Sequence, residues 1–182
     1  MIEIKDCKIK MIVDSREKVF SHITDVWEEK GINYHIFKKD EAMKVGDYSI
    51  AVQTNTGEVI DFRNKVAIER KANLNELCGN FTDKRDNNNK TRLIRELERA
   101  KKNNIKLLLL IEDEKGYTNA LNGYFRKDKV SRMNSNSFIA MLFAYKARYD
   151  YEIIFIDKKN SASYIYNYLY YYAREYLKNL EV

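Results

Sequence analysis

Histidine and cysteine are scarce in this sequence. His22 and His35 are the only histidines, Cys7 and Cys78 the only cysteines, and neither pair has the spacing of a metal site. A zinc centre and a disulfide framework are therefore excluded, and two free thiols are expected. Long apolar runs are missing as well. The longest strongly apolar stretch, Leu107 to Ile111, is far shorter than a membrane span. The first residues, Met-Ile-Glu-Ile-Lys-Asp, lack a signal-peptide pattern. These absences predict a cytoplasmic chain with no membrane partner. No internal repeat and no linker interrupts it.

What is present describes a globular protein. The chain has 182 residues, 45% of them hydrophobic and 33% charged, which predicts one domain over residues 1–182 with a sizeable core. The net charge is +6, and its placement is more informative than its size. Between Thr82 and Lys106 there are nine Lys or Arg against four Asp or Glu. Lys84, Arg85, Lys90, Arg92, Arg95, Arg99 and Lys102 belong to this excess. Arg126 to Arg132 adds four basic residues against one acidic, Arg126 and Lys127 among them. A basic excess confined to two segments suggests an anionic partner such as nucleic acid, although a solvated helix face would carry the same charges.

Hydrophobic periodicity alternates between strand and helix, which predicts an α/β fold. Strands are expected over Lys8 to Asp14, Ile32 to Phe37, the residues after Gly46 through Val52, Glu58 to Phe62, Val66 to Lys71, Lys106 to Glu112 and Glu152 to Asp157. Helices are expected from about Glu17 to Lys30, over Ala72 to Cys78, Thr91 to Asn104, Ser135 to Tyr149, and Ser161 to Leu177. Gly79 to Lys90 reads as a mobile polar loop. In the Thr91 helix, Leu93, Leu97 and Ala100 form an apolar stripe, with Arg92, Arg95, Arg99 and Lys102 roughly opposite. The last helix holds seven of the fourteen tyrosines. It is too apolar to stand exposed, so it packs on the core or on a second copy in a homodimer.

The stretch Val66-Ala67-Ile68-Glu69-Arg70-Lys71 concentrates the chemistry. It contains no Gly or Pro and reads as a short buried strand whose polar end reaches a surface. Alternation puts Glu69 and Lys71 on one face and Arg70 on the other. Asp14, Asp47 and Glu69 each stand where a strand meets a loop or bends. Carboxylates converging on an open, wet site are what Mg²⁺ uses, with substrate phosphate completing its shell. Lys71 could orient a water or offset charge on phosphorus. A solvated charge cluster at a strand end is the plainer reading of the same hexapeptide.

Val13-Asp14-Ser15-Arg16-Glu17, Gly46-Asp47-Tyr48 and Ile68-Glu69-Arg70-Lys71, in this order, resemble the motifs of the XPF-type structure-specific endonuclease domain, a branch of the PD-(D/E)xK nuclease superfamily. The Arg-rich Thr91 to Lys102 segment, the Leu107 to Glu112 strand, Arg148-Tyr149 and Tyr171 to Glu175 are similar to small phage and prophage members. The resemblance implies a restriction-endonuclease-like core, a central mixed β-sheet flanked by helices, and a DNA endonuclease using Mg²⁺ or Mn²⁺. It implies Asp47 and Glu69, with Asp14, as metal carboxylates and Lys71 as the catalytic lysine. Asp14 and Glu17 match supporting acidic positions, and Arg16 and Arg70 match arginines that brace the site or meet phosphate. Two departures stand out. Asn75 replaces the family's usual Asp, with Glu76 beside it. The tandem helix-hairpin-helix domain of larger relatives has no counterpart in these residues. Asn75 favours an alternative, a DNA-binding module with a weakened nuclease site.

Overall fold

The computed structural model describes residues 3–38, 41–83, 86–125 and 133–180. In chain order its elements are β1 (Lys8–Val13), α1 (Ser21–Glu29), β2 (Tyr34–Ile36), β3 (Tyr48–Gln53), β4 (Val59–Asp61) and β5 (Val66–Lys71). They continue with α2 (Leu74–Thr82), α3 (Arg92–Lys102), β6 (Lys106–Glu112), α4 (Gly116–Leu121), α5 (Ser135–Tyr149), β7 (Glu152–Ile156) and α6 (Ser161–Asn179). The fold is α/β, with a mixed seven-stranded sheet in the order β2-β1-β3-β5-β6-β7 and β4 paired to β3.

The chain divides into two compact units, residues 1–68 with 159–182, and residues 69–158. In the first unit β1 runs parallel to β2 and antiparallel to β3, with Met11 opposite Ile50 and Val13 opposite Tyr48. Met11, Ile12, Val13, Ile50 and Val52 are buried and make the floor of the core. Helix α6 packs on α1 and β3. Its buried positions Ala162, Ile165, Leu169, Ala173 and Leu177 keep the helical spacing expected of this segment. The tyrosines flank this inward stripe. Tyr172 and Tyr176 meet the Phe62 ring edge-on, and the Trp27 indole donates to the Ala162 carbonyl at 3.0 Å.

In the second unit β6 pairs parallel with β7, and Leu107 to Ile111 are all buried. Phe81, Phe125 and Phe138 form an aromatic core among α2, α5 and the segment after α4.

Two expectations fail at element boundaries. Helix α1 starts at Ser21 rather than near Glu17, where the Glu17 carboxylate reaches forward to accept the Val19 amide at 3.0 Å. Helix α2 continues through Gly79 to Thr82, because Leu77, Cys78 and Phe81 bury one face. The residues from Asp86 to Lys90 are also more ordered than a mobile loop. The Asp86 carboxylate accepts the amides of Asn88 and Lys90, and Arg95 closes on it at 3.0 Å.

Gly116 opens α4 with no room for a side chain, since a Cβ there would sit 2.1 Å from the Phe155 ring. Gly116→Ala is expected to destabilise the protein by about 1–3 kcal/mol through overpacking. Urea unfolding reads this as a lower midpoint at unchanged slope.

Candidate active site

In the first unit the end of β1 delivers Asp14 into a fully enclosed position. One carboxylate oxygen accepts the Arg16 amide at 2.9 Å and Arg16 Nε at 2.7 Å. The other accepts Arg16 Nη2 at 3.0 Å and the Met43 amide at 2.6 Å. Arg16 Nη2 also donates to the Met43 carbonyl at 2.7 Å. Burial alone would raise the Asp14 carboxyl. The Arg16 side chain, the two backbone amides and the guanidinium charge outweigh it and hold the group below the ordinary aspartate range.

Asp47 is buried and enters β3 from Gly46. Gly46 has φ of +76°, and a Cβ there would lie 2.9 Å from both the Ala67 Cβ and the Ile68 carbonyl oxygen. Glycine is required twice over, for the left-handed backbone and for the close approach. The Asp47 amide donates to the Ile68 carbonyl at 2.8 Å, and the Asp47 carbonyl accepts the Asp14 amide at 2.8 Å.

In the second unit β5 ends in Glu69, Arg70 and Lys71, all buried. The expectation that this polar end reaches a surface is therefore corrected. Each charge is matched locally, and that is what allows it to leave water. Lys71 Nζ donates to Glu69 Oε1 at 2.5 Å and lies 3.9 Å from Glu76 Oε1. On the opposite face Arg70 Nη1 meets Glu112 Oε2 at 2.7 Å, with both side chains under 5% exposed. Arg70 thus braces a strand end through Glu112.

Burial and the negative charge of Glu96 push the Glu69 carboxyl up to about 7, against the opposing pull of Lys71 and Arg92. Glu96 escaped the sequence reading. Its signal was present, since it lies three residues after Leu93 and one before Leu97, both on the inward stripe of α3.

Glu76 has work of its own. Its amide donates to the Asn73 side chain at 2.9 Å and its carboxylate accepts the Ala72 amide at 2.8 Å, an arrangement that caps α2. The basic residues of the α3 region divide. Arg92, Arg99 and Lys102 are exposed, while Arg95 is drawn to Asp86 and Lys90 to Glu98 at 2.8 Å. Lys84, Arg85, Arg126 and Lys127 lie outside the described residues.

No three His, Cys, Asp or Glu side chains form a cage for a metal ion among the described residues. A hydrated Mg²⁺ or Mn²⁺ needs fewer protein ligands. Glu69 fits such an ion chemically, because a carboxylate kept uncomfortable by burial and by Glu96 gains most from a cation.

The ERCC4 domain family model matches residues 13–168. No curated protein matches the chain. The solved structure described as XPF from Aeropyrum pernix superimposes with a TM-score of 0.60 at 16% identity, covering 94% of this chain and 69% of that one. A second, XPF from Aeropyrum pernix in complex with DNA, gives 0.59 at 17% identity, covering 91% of this chain and 65% of that one. At these identities the likeness is one of fold.

The charges of the second unit lead to two expected outcomes. The folded protein holds the Glu69 proton up to a pH of about 7, whereas the unfolded chain releases it near 4.5. The native state therefore binds more protons in that window, and stability falls as pH rises through it, levelling off above. Glu69→Gln in metal-free protein is expected to remove this fall, read from urea midpoints between pH 5 and pH 8. Arg70→Ala removes the buried cation that meets Glu112 and is expected to cost ~3–5 kcal/mol, also read from the urea midpoint.

Proposed function

Since the chain belongs to the ERCC4 domain family, we propose that it is a metal-dependent DNA endonuclease that hydrolyses phosphodiester bonds in branched or otherwise structured DNA. The whole of residues 1–182 serves as its nuclease domain, working in the cytoplasm on DNA recombination, repair or replication in a phage or its host. The observation that carries this reading is the buried contact of Lys71 with Glu69 at the end of β5.

Glu69 is proposed as a carboxylate for Mg²⁺ or Mn²⁺, and Asp47 is proposed as a metal carboxylate on the strength of the Gly46-Asp47-Tyr48 motif. When bound, the ion supplies Lewis acidity toward a phosphoryl oxygen and lowers the pKa of a water. Lys71 keeps its ammonium within reach of the Glu69 carboxylate. There it can orient the attacking water or offset the charge that builds on the phosphorus. Water oxygen bonds to phosphorus, one phosphorus–oxygen ester bond breaks, and the proton that the water gives up to solvent is balanced by the one that the departing sugar oxygen takes from it. Arg70 supports the strand from the other face through Glu112. Arg92, Arg99 and Lys102 present charge on α3 to the DNA backbone.

Self-association is part of the proposal. In the second unit Tyr117, Leu121, Tyr124 and Phe143 are exposed, and α5 carries no charged residue from Ser135 to Tyr145. A neutral apolar face suits contact between two copies of a chain of net charge +6. The DNA-binding alternative keeps one supporting observation, since Asn75 lacks a charge and Glu76 is occupied with capping α2.

Purified protein with Mg²⁺ or Mn²⁺ is expected to cut flap, fork or junction DNA, and Asp47→Asn or Glu69→Gln to abolish cutting. Binding without cutting at any metal concentration would favour the alternative. Lys71→Ala is expected to lower turnover far more than DNA affinity. Arg99→Ala is expected to weaken binding and reduce the salt slope of log K by about 1. An unchanged slope removes Arg99 from the DNA footprint.

A further inference from the structure

Asp14 grips the segment Met43–Asp47 at both ends. Its carboxylate accepts the Met43 amide at 2.6 Å, and its own amide donates to the Asp47 carbonyl at 2.8 Å. Arg16 closes the clamp from outside. It binds both Asp14 oxygens and the Met43 carbonyl, with 43% of its side chain exposed. Between the two anchor points Val45 is fully buried and Gly46 is pressed against Ala67 and Ile68. The segment can therefore shift only if an anchor lets go.

Asp14 itself has no exposed surface, and both of its oxygens accept two hydrogen bonds. A carboxylate in that state offers no lone pair to a hydrated ion. We infer that Asp14 and Arg16 are positioning residues that lock the Met43–Asp47 segment and so aim Asp47, and that Asp14 is not itself a metal ligand. The inference rests on the nuclease reading for what Asp47 does, but the clamp is a property of the free protein.

The substitution Asp14→Asn replaces one acceptor oxygen by an NH₂ group. Whichever way the amide sits, that NH₂ faces two donors, so an anchor opens. Arg16→Ala opens the same clamp from the other side. Were Asp14 a metal ligand, Arg16→Ala would free its carboxylate and sharpen metal binding. The two roles therefore predict opposite couplings.

The experiment is a double-mutant cycle on single-turnover DNA cleavage at saturating Mg²⁺, with Asp14→Asn, Arg16→Ala and the double variant. DNA affinity, urea midpoints and exchange of the Met43 amide are measured on the same proteins. Each single variant is expected to lose about 10- to 100-fold in rate with DNA affinity unchanged, and the double to lose no more than the worse single. Met43 exchange should accelerate in both. Arg16→Lys, which keeps a donor near Asp14, should recover part of the rate. Multiplicative losses, or full activity with tighter metal binding in Arg16→Ala, overturn the inference. So does unchanged Met43 exchange in both variants. If the unsubstituted protein cuts no DNA, the nuclease reading fails, and Met43 exchange alone decides whether the clamp exists.

Discussion

Lys71 donates to Glu69 where both side chains are largely withdrawn from solvent. Two opposite charges at such a distance attract strongly, yet stripping each of its hydration costs several kcal/mol, so the pair by itself does little for stability. Glu96 worsens the balance by adding a second negative charge behind Glu69. A site built this way is held under electrostatic load. The load is tolerable because the rest of β5 is firmly fixed. Val66, Ala67 and Ile68 are fully buried, and Ser49 donates to the Val66 carbonyl at 2.8 Å.

Much of the fold could be read from residue order. The strand at 66–71, the strand at 106–112 and the helix at 135–149 have the bounds their hydrophobic patterns suggest. These segments combine a strong period with clear punctuation, and tertiary packing had nothing to overrule. Boundaries went astray where a single side chain redirected the backbone. Glu17 reaches forward to the Val19 amide ahead of α1, a local hydrogen bond that no periodicity reports. Phe81 extends α2 across a glycine, because an aromatic core rewards one more helical turn.

The candidate site was legible in kind more than in environment. The residue types at 14, 16, 47, 69 and 71 point to acidic and basic chemistry, but spacing along a chain says nothing of how wet each position is. Asp14 looked like a metal carboxylate and is wholly enclosed by Arg16 and Met43. Arg70 was read as bracing the site or meeting phosphate, and its contact is with Glu112, whose position at the end of an apolar strand gave no hint of a partner 42 residues earlier. Glu96 was hidden by its neighbours, since the basic stripe of Arg92, Arg95, Arg99 and Lys102 marks the helix's outer surface. Burial, charge pairing and long-range partners are properties of the folded object, and one-dimensional patterns capture them poorly.

Strand β5 carries its chemistry on alternate sides. Glu69 and Lys71 project one way, and Arg70 projects the other to reach Glu112. Gaining or losing a single residue within it would reverse every side chain at once, exchanging the lysine for the arginine and burying a carboxylate where a cation is required. Lineages of this protein should thus tolerate substitutions scattered along their surfaces and length changes in their turns, while indels between positions 66 and 71 are purged. Divergence here is free to alter letters but not to alter phase.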